Sequence, residues 1–132
     1  MNSSLVLGPE LIVNGSPMAA AGWSVGGNDA THIATFSGGV LRYQSDTTSP
    51  QLNVFQAVLT IGKIYQVVIG VSARVSGSIK TDMTGSTFNL ATSPGSYIYR
   101  LTAGSTTFNL TRGTAGVDIS IDGVSVREVI SG

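Results

Sequence analysis

Apolar residues recur at every second position through much of this chain, and the closing segment shows it most clearly. From Val117 to Val129, Val117, Ile119 and Ile121 share one parity, the phase changes at Asp122-Gly123, and Val124 and Val126 resume on the other. Period-two alternation marks a strand with one buried face. A phase change with Gly at the break predicts a β-bulge that keeps the apolar set pointing inward. This strand is expected to run through the middle of a sheet and close the domain.

The rest of the chain reads as short strands separated by turn chemistry. Glu10 to Val13 is a first strand ended by Asn14-Gly15-Ser16-Pro17, and Gly22 to Val25 a second before the Gly26-Gly27-Asn28-Asp29 loop. Ala30 to Ser37 and Val40 to Gln44 form a hairpin, because Gly38-Gly39 suits the positive φ of primed turns. Gln51 to Leu59 and Ile64 to Arg74 are expected to form the longest strand pair, with Tyr65, Val67, Ile69, Val71 and Ala73 facing the centre of the core. Further strands are expected over Gly77 to Met83, Thr87 to Leu90, Ser96 to Thr102 and Thr106 to Thr111, with Ala103-Gly104-Ser105 turning one into the next. Only Met18-Ala19-Ala20-Ala21 has helical character, and Pro17 and Gly22 leave it about one turn. The fold class is therefore all-β: an antiparallel β-sandwich of jelly-roll type, about nine or ten strands, with no significant helix and with first and last strands paired near the centre. Residues 1–9 are expected to form a flexible N-terminal arm, and residues 10–132 a single jelly-roll domain.

Composition narrows the function classes. Charged residues make up 11% of the 132, and seven acidic residues balance seven basic ones. A surface without a basic stripe disfavours nucleic acid and anionic membrane as partners. Near-zero net charge suits a protein in an assembly. The chain has no cysteine, which leaves neither disulfides nor thiolate metal sites. Met1 to Pro9 lacks a basic n-region and carries only the Leu5-Val6-Leu7 patch, so the expectation is synthesis in a host cytoplasm without a signal peptide.

Several separated pieces share one pattern: Glu10-Leu11-Ile12-Val13-Asn14-Gly15, Gly22-Trp23-Ser24-Val25, Gln56 leading into Gly62-Lys63-Ile64-Tyr65, Gly95-Ser96-Tyr97, and Ile121-Asp122-Gly123-Val124-Ser125-Val126. Together they resemble the carbohydrate-binding, CenC-like jelly-roll modules over about residues 10 to 129. The ending Asp122-Gly123-Val124-Ser125-Val126-Arg127-Glu128-Val129 also resembles modules of tailed-phage virion proteins, including head decoration and fibre components. The resemblance implies that Trp23 sits in the core. It also implies a structural calcium held by an acidic residue after the first-strand Asn-Gly and by the final-strand Asp. Here that place reads Ser16-Pro17-Met18, leaving Glu10, Asp118 and Asp122 as the carboxylates near the paired ends, so no cofactor is expected.

Other candidate chemistry is sparse. Sugar binding needs exposed aromatic faces; Tyr43, Tyr97 and Tyr99 are the candidates, while Tyr65 lies on the apolar face. His32 lies mid-strand without partners at metal or triad spacing and reads as an ordinary strand residue. Asp118 and Asp122 share a parity, as a glycosidase pair would, but the bulge between them disturbs that geometry. Gly26-Gly27 and Gly38-Gly39 lack phosphate-loop spacing. The glycosylation patterns at Asn2, Asn14 and Asn109 occur by chance in so Ser/Thr-rich a chain. No catalytic, cofactor or metal residue is assigned, and the chain is not expected to be an enzyme. The leading expectation is a structural virion protein: a capsid decoration (cement) protein docked on the major capsid protein at the virion surface, with a homo-oligomer, a trimer, as its state. The alternative is a glycan-binding module, possible on a virion as a host-surface adhesin.

Overall fold

A computed structural model describes residues 5–46, 52–114 and 116–131. It contains eleven strands among these residues: β1 (Val6–Glu10), β2 (Ser24–Gly26), β3 (His32–Ser37), β4 (Val40–Ser45), β5 (Asn53–Gln56), β6 (Ile64–Ser76), β7 (Ile79–Thr81), β8 (Phe88–Asn89), β9 (Gly95–Thr102), β10 (Phe108–Arg112) and β11 (Val117–Ser131). They form two antiparallel sheets. A six-stranded sheet runs β3-β4-β11-β6-β9, with β1 added to β11, and a five-stranded sheet runs β2-β5-β10-β7-β8. The expected β-sandwich is what the chain forms.

The closing strand is central, as its pattern predicts. Its first half pairs with β4, its end with β1, and its other side with β6 along most of its length. Ile121 pairs with Val71 and Gly123 with Gly70, so Asp122 is the extra residue of the expected bulge. The β3–β4 hairpin also forms, with Gly38 at φ 61° and Gly39 at φ 81° in its turn. Between the sheets, Leu41, Tyr43, Val67, Ile69, Ile119 and Val126 meet Leu52, Val54, Ile79, Phe108 and Leu110, all essentially buried. Each such side chain contributes about 1.5–3 kcal/mol relative to exposure. Trp23 joins this core, donating its indole N–H to the Asn14 carbonyl at 3.1 Å and meeting Phe108 edge-on at 6.5 Å. The inward face of β6 runs from Tyr65 through Val71; Ala73 is exposed, because an extra residue in β6 at Ser72 breaks the alternation.

Four expectations are corrected. The first strand is Val6–Glu10, so residues 6–9 are laddered onto β11 rather than forming a free arm; residues 1–4 lie outside the described residues. Glu10 to Val13 leaves the ladder after Leu11 because side chains take over its hydrogen bonds. The Glu10 carboxylate accepts from Ile12 N–H and Val126 N–H, and the Gln56 amide exchanges two bonds with the Val13 backbone. Third, β5 and β6 are not a pair, and β9 does not return as β10. Each connection instead carries the chain from one sheet to the other, and the two crossings run side by side through Leu59 N–H to Thr106 O, Gly62 N–H to Ala103 O and Ala103 N–H to Lys63 O. Fourth, the strands number eleven among the described residues rather than nine or ten, two of them no more than short stretches at the edges of the five-stranded sheet.

Candidate functional site

The aromatic residues single out one surface. The chain has four Phe, four Tyr and one Trp. Every one except Phe55 belongs to the core or packs against it. Phe55 lies on β5, where Val54 and Gln56 point inward and are buried, so alternation turns Phe55 and Asn53 to the outer face of the five-stranded sheet, both half-buried. In register beside Phe55 stand Ser24 of β2 on one side and Asn109 of β10 on the other. Side chains directly opposite on neighbouring strands share a face about 5 Å apart.

A polar network continues the row. The Asn109 amide N–H group donates to Asn53 Oδ1 at 3.2 Å and to Asp82 Oδ2 at 3.3 Å, while its Oδ1 accepts from Thr81 Oγ1 at 3.0 Å and from Asp82 N–H at 2.7 Å. All four hydrogen-bonding positions of the amide are therefore filled, which fixes its orientation. Lys80 Nζ lies 2.9 Å from Asp82 Oδ1, the lysine largely covered and the carboxylate open to solvent. The result is an aromatic ring flanked by a hydroxyl, two amides, a carboxylate and an ammonium, all held by a rigid sheet. Such a face offers an apolar platform with donors and acceptors beside it, suited to a neutral ligand rich in hydroxyl groups.

The residues weighed from sequence have other duties. Tyr43 is buried, its hydroxyl donates to the Leu52 carbonyl, and burial first of all pushes it up to about 12. Tyr97 donates to Ser93 O, while Tyr99 accepts from Ala91 N–H and meets Phe88 edge-on at 5.5 Å; both tyrosines pin the segment before β9 onto that strand. Tyr65 is buried and accepts from Thr60 N–H. His32 is more than an ordinary strand residue: fully buried at the start of β3, its Nδ1 lies 2.7 Å from Asp29 Oδ1 and its Nε2 3.3 Å from Asp46 Oδ1. The hydrogen bond from His32 is the main reason the Asp29 carboxyl sits below its usual value, with Thr31 N–H adding to it. Of the three carboxylates near the paired ends, Glu10 caps backbone amides, Asp118 forms a two-pronged pair with Arg42, and Asp122 stands at the bulge. They are not gathered as calcium ligands, since no group of three or more His, Cys, Asp or Glu suited to a metal occurs among the described residues. Asn109 matches a glycosylation pattern in sequence but is largely buried in the network described above. Phe55 escaped the sequence reading because it sits in an apolar run, where its parity opposite Leu52 and Val54 was the one available signal.

Three solved structures of similar architecture carry the same kind of name. One titled "Carbohydrate binding module family29" matches with a TM-score of 0.53 at 11% identity over 95% of this chain and 90% of its own. A mutant from work titled "Probing the Mechanism of Ligand Recognition by Family 29 Carbohydrate Binding Modules" matches with a TM-score of 0.53 at 11% identity over 93% and 91%. A further mutant of a carbohydrate binding module of family 29 matches with a TM-score of 0.52 at 13% identity over 94% and 92%. No family model and no curated protein matches the chain. At these identities the likeness is one of fold: this chain shares the β-sandwich architecture of carbohydrate-binding modules.

Proposed function

We propose that this protein is a glycan-binding module, with no catalytic role, that holds its ligand on the outer face of the five-stranded sheet. The observation that carries the reading is Phe55, the one aromatic side chain outside the core, set in register between Ser24 and Asn109. The architecture shared with carbohydrate-binding modules supports it. In this reading Phe55 takes the apolar face of a pyranose ring, and Asn53, Asp82 and Lys80 take its hydroxyls. Because Asn109 is fully bonded within the protein, it serves as the positioning residue that holds Asn53 and Asp82 in place.

A docked virion component, trimeric and bound to capsid subunits, remains the reading of the closing-strand resemblance and of the low surface charge. Glycan binding is preferred because a surface of matching chemistry accompanies it. The two are compatible, since repeated copies on a particle multiply a weak glycan contact.

The test is affinity electrophoresis of the full chain through gels containing a panel of neutral polysaccharides, repeated with Phe55→Ala. Retardation by at least one polysaccharide, lost in Phe55→Ala while the variant's melting temperature stays close to the parent's, is expected. Retardation by none of the panel, or equal retardation of parent and variant, overturns the assignment of this face.

A further inference from the structure

The outer face of the six-stranded sheet carries a groove of about 430 Å3 where β11 bulges. Small-molecule sites span about 300–1,000 Å3. The extra residue of a bulge has its side chain re-aimed, and here Asp122 borders the groove with its carboxylate beside β6. It can lie there because residue 70 has no side chain: a methyl group on Gly70 would come within 3.0 Å of Asp122 Oδ1. The requirement at Gly70 is one of space. Ser96, Gly70 and Gly123 stand in register across β9, β6 and β11, so the floor is nearly bare backbone. Ser16 and Ser125 line the groove, the Ser125 hydroxyl donating to Glu10 and keeping its lone pairs as acceptors, and Val68 adds an apolar patch.

The charge inventory makes this carboxylate distinctive. Of the chain's seven, Glu10 caps amides, Asp29 and Asp46 hold His32, and Asp82, Asp118 and Glu128 pair with Lys80, Arg42 and Lys63. Asp122 alone has no hydrogen bond or ion pair among the described residues. The nearest cation by register, Arg42, stands opposite Ser120, two residues along β11 from Asp122, and is committed to Asp118; Arg100 and Arg127 stand opposite Gln66, four residues or about 13 Å along β6 from Gly70. Arg127 is committed to the Gly8 carbonyl.

A lone carboxylate with hydroxyls around it falls short of the six to eight oxygens of calcium. It matches an ammonium group, whose three N–H donors need one charged acceptor and neutral acceptors beside it. We infer that the groove at the β11 bulge is a binding site for a protonated primary amine, with Asp122 as counter-ion and the serine hydroxyls as secondary acceptors, and that the molecule presenting the amine is an amino sugar. The amine assignment stands on the groove alone. The choice of an amino sugar rests on the glycan-binding reading above.

The test is a titration of the isotope-labelled full chain, followed by amide NMR shifts, with glucosamine trimer, N-acetylglucosamine trimer and ethanolamine at low salt. Saturable shifts at Gly70, Ser96 and Gly123 are expected with glucosamine trimer, at least tenfold tighter than with its acetylated counterpart. Asp122→Asn removes that preference and Gly70→Ala weakens it. Equal binding of the two trimers, shifts elsewhere only, or an unaffected Asp122→Asn overturns the inference. Ethanolamine binding as tightly as glucosamine trimer keeps the amine site and overturns the amino sugar. Amine binding by a protein that no neutral polysaccharide retards leaves the groove intact and removes only the face around Phe55.

Discussion

Asn109 and Asp82 are bonded in both directions: the Asn109 side-chain N–H group donates to Asp82 Oδ2 at 3.3 Å, and the Asp82 backbone N–H donates to Asn109 Oδ1 at 2.7 Å. The same amide accepts from the buried Thr81 hydroxyl. Replacing Asn109 by Leu leaves two donors without their acceptor in a nearly closed site, a cost of about 1–3 kcal/mol. Urea unfolding is expected to show a lowered midpoint of that size, with any polysaccharide retardation weakened as Asn53 and Asp82 lose their tether. An unchanged midpoint would mean that the network is solvated and does not hold the face.

Two glycines near the bulge differ in what stands against them. At Gly70 the obstacle is the tip of the Asp122 side chain, whereas at Gly15 it is the backbone carbonyl of Val124, within a pairing in which Val124 N–H donates to Gly15 O at 2.7 Å. A flexible side chain can rotate away; a bonded strand backbone cannot. Gly70→Ala is therefore expected to change stability by no more than about 1 kcal/mol, and Gly15→Ala to cost about 2 kcal/mol or more. Thermal melting of the two variants side by side checks this, and comparable losses would contradict it.

Asp29 contributes stability that acid removes. Its folded value lies below the ordinary 3.8, chiefly through the hydrogen bond with His32. A carboxyl depressed in the folded state adds stability that is fully present above 3.8 and disappears as the pH falls through the lower folded value. Urea unfolding across the acid range is expected to show a falling limb below about pH 4 that is shallower in Asp29→Asn. Identical limbs in parent and variant would remove this role.

Tyr43 acts at the opposite end of the scale. Burial raises its phenol from 10.0 to about 12. A raised folded value contributes stability present below pH 10.0 and lost as the pH climbs toward 12. Tyr43→Phe is expected to lose about 1 kcal/mol at neutral pH, through the missing bond to the Leu52 carbonyl, and to lack this component of the alkaline decline. Stability profiles at neutral pH and from pH 9 upward separate the two effects.

Local pattern carried much of the architecture. The alternation of Val117, Ile119 and Ile121 and the phase break at Asp122-Gly123 specify a central bulged strand, because burying one face admits a single register. The paired glycines at 38 and 39 specify a hairpin through their backbone freedom. These are properties of adjacent residues, and they hold wherever the segment is placed.

Sheet membership is decided elsewhere. A turn between two apolar runs reads the same whether the chain folds back or crosses the sandwich, and Thr60 to Lys63 and Ala103 to Ser105 looked like hairpins for that reason. They are crossings because the two connections hydrogen-bond to each other. Glu10 to Val13 likewise left its ladder because the Glu10 and Gln56 side chains captured its hydrogen bonds, one of them from 43 residues away.

The amino-acid sequence by itself determined the class of fold, the central strand and its bulge, and the balanced, weakly charged surface, since each follows from side-chain parity or from a sum over residues. Only the tertiary structure decided which aromatic ring faces outward and which carboxylate lacks a partner. Phe55 stands apart because eight other rings fill the core or pack against it, and Asp122 because the other six carboxylates are all engaged, Asp29 and Asp82 by residues close in sequence and Glu10, Asp118 and Glu128 by groups on distant strands and loops. Both are statements about what remains after packing and pairing are complete, local pairs and distant ones together, and that remainder exists only when the whole chain has folded.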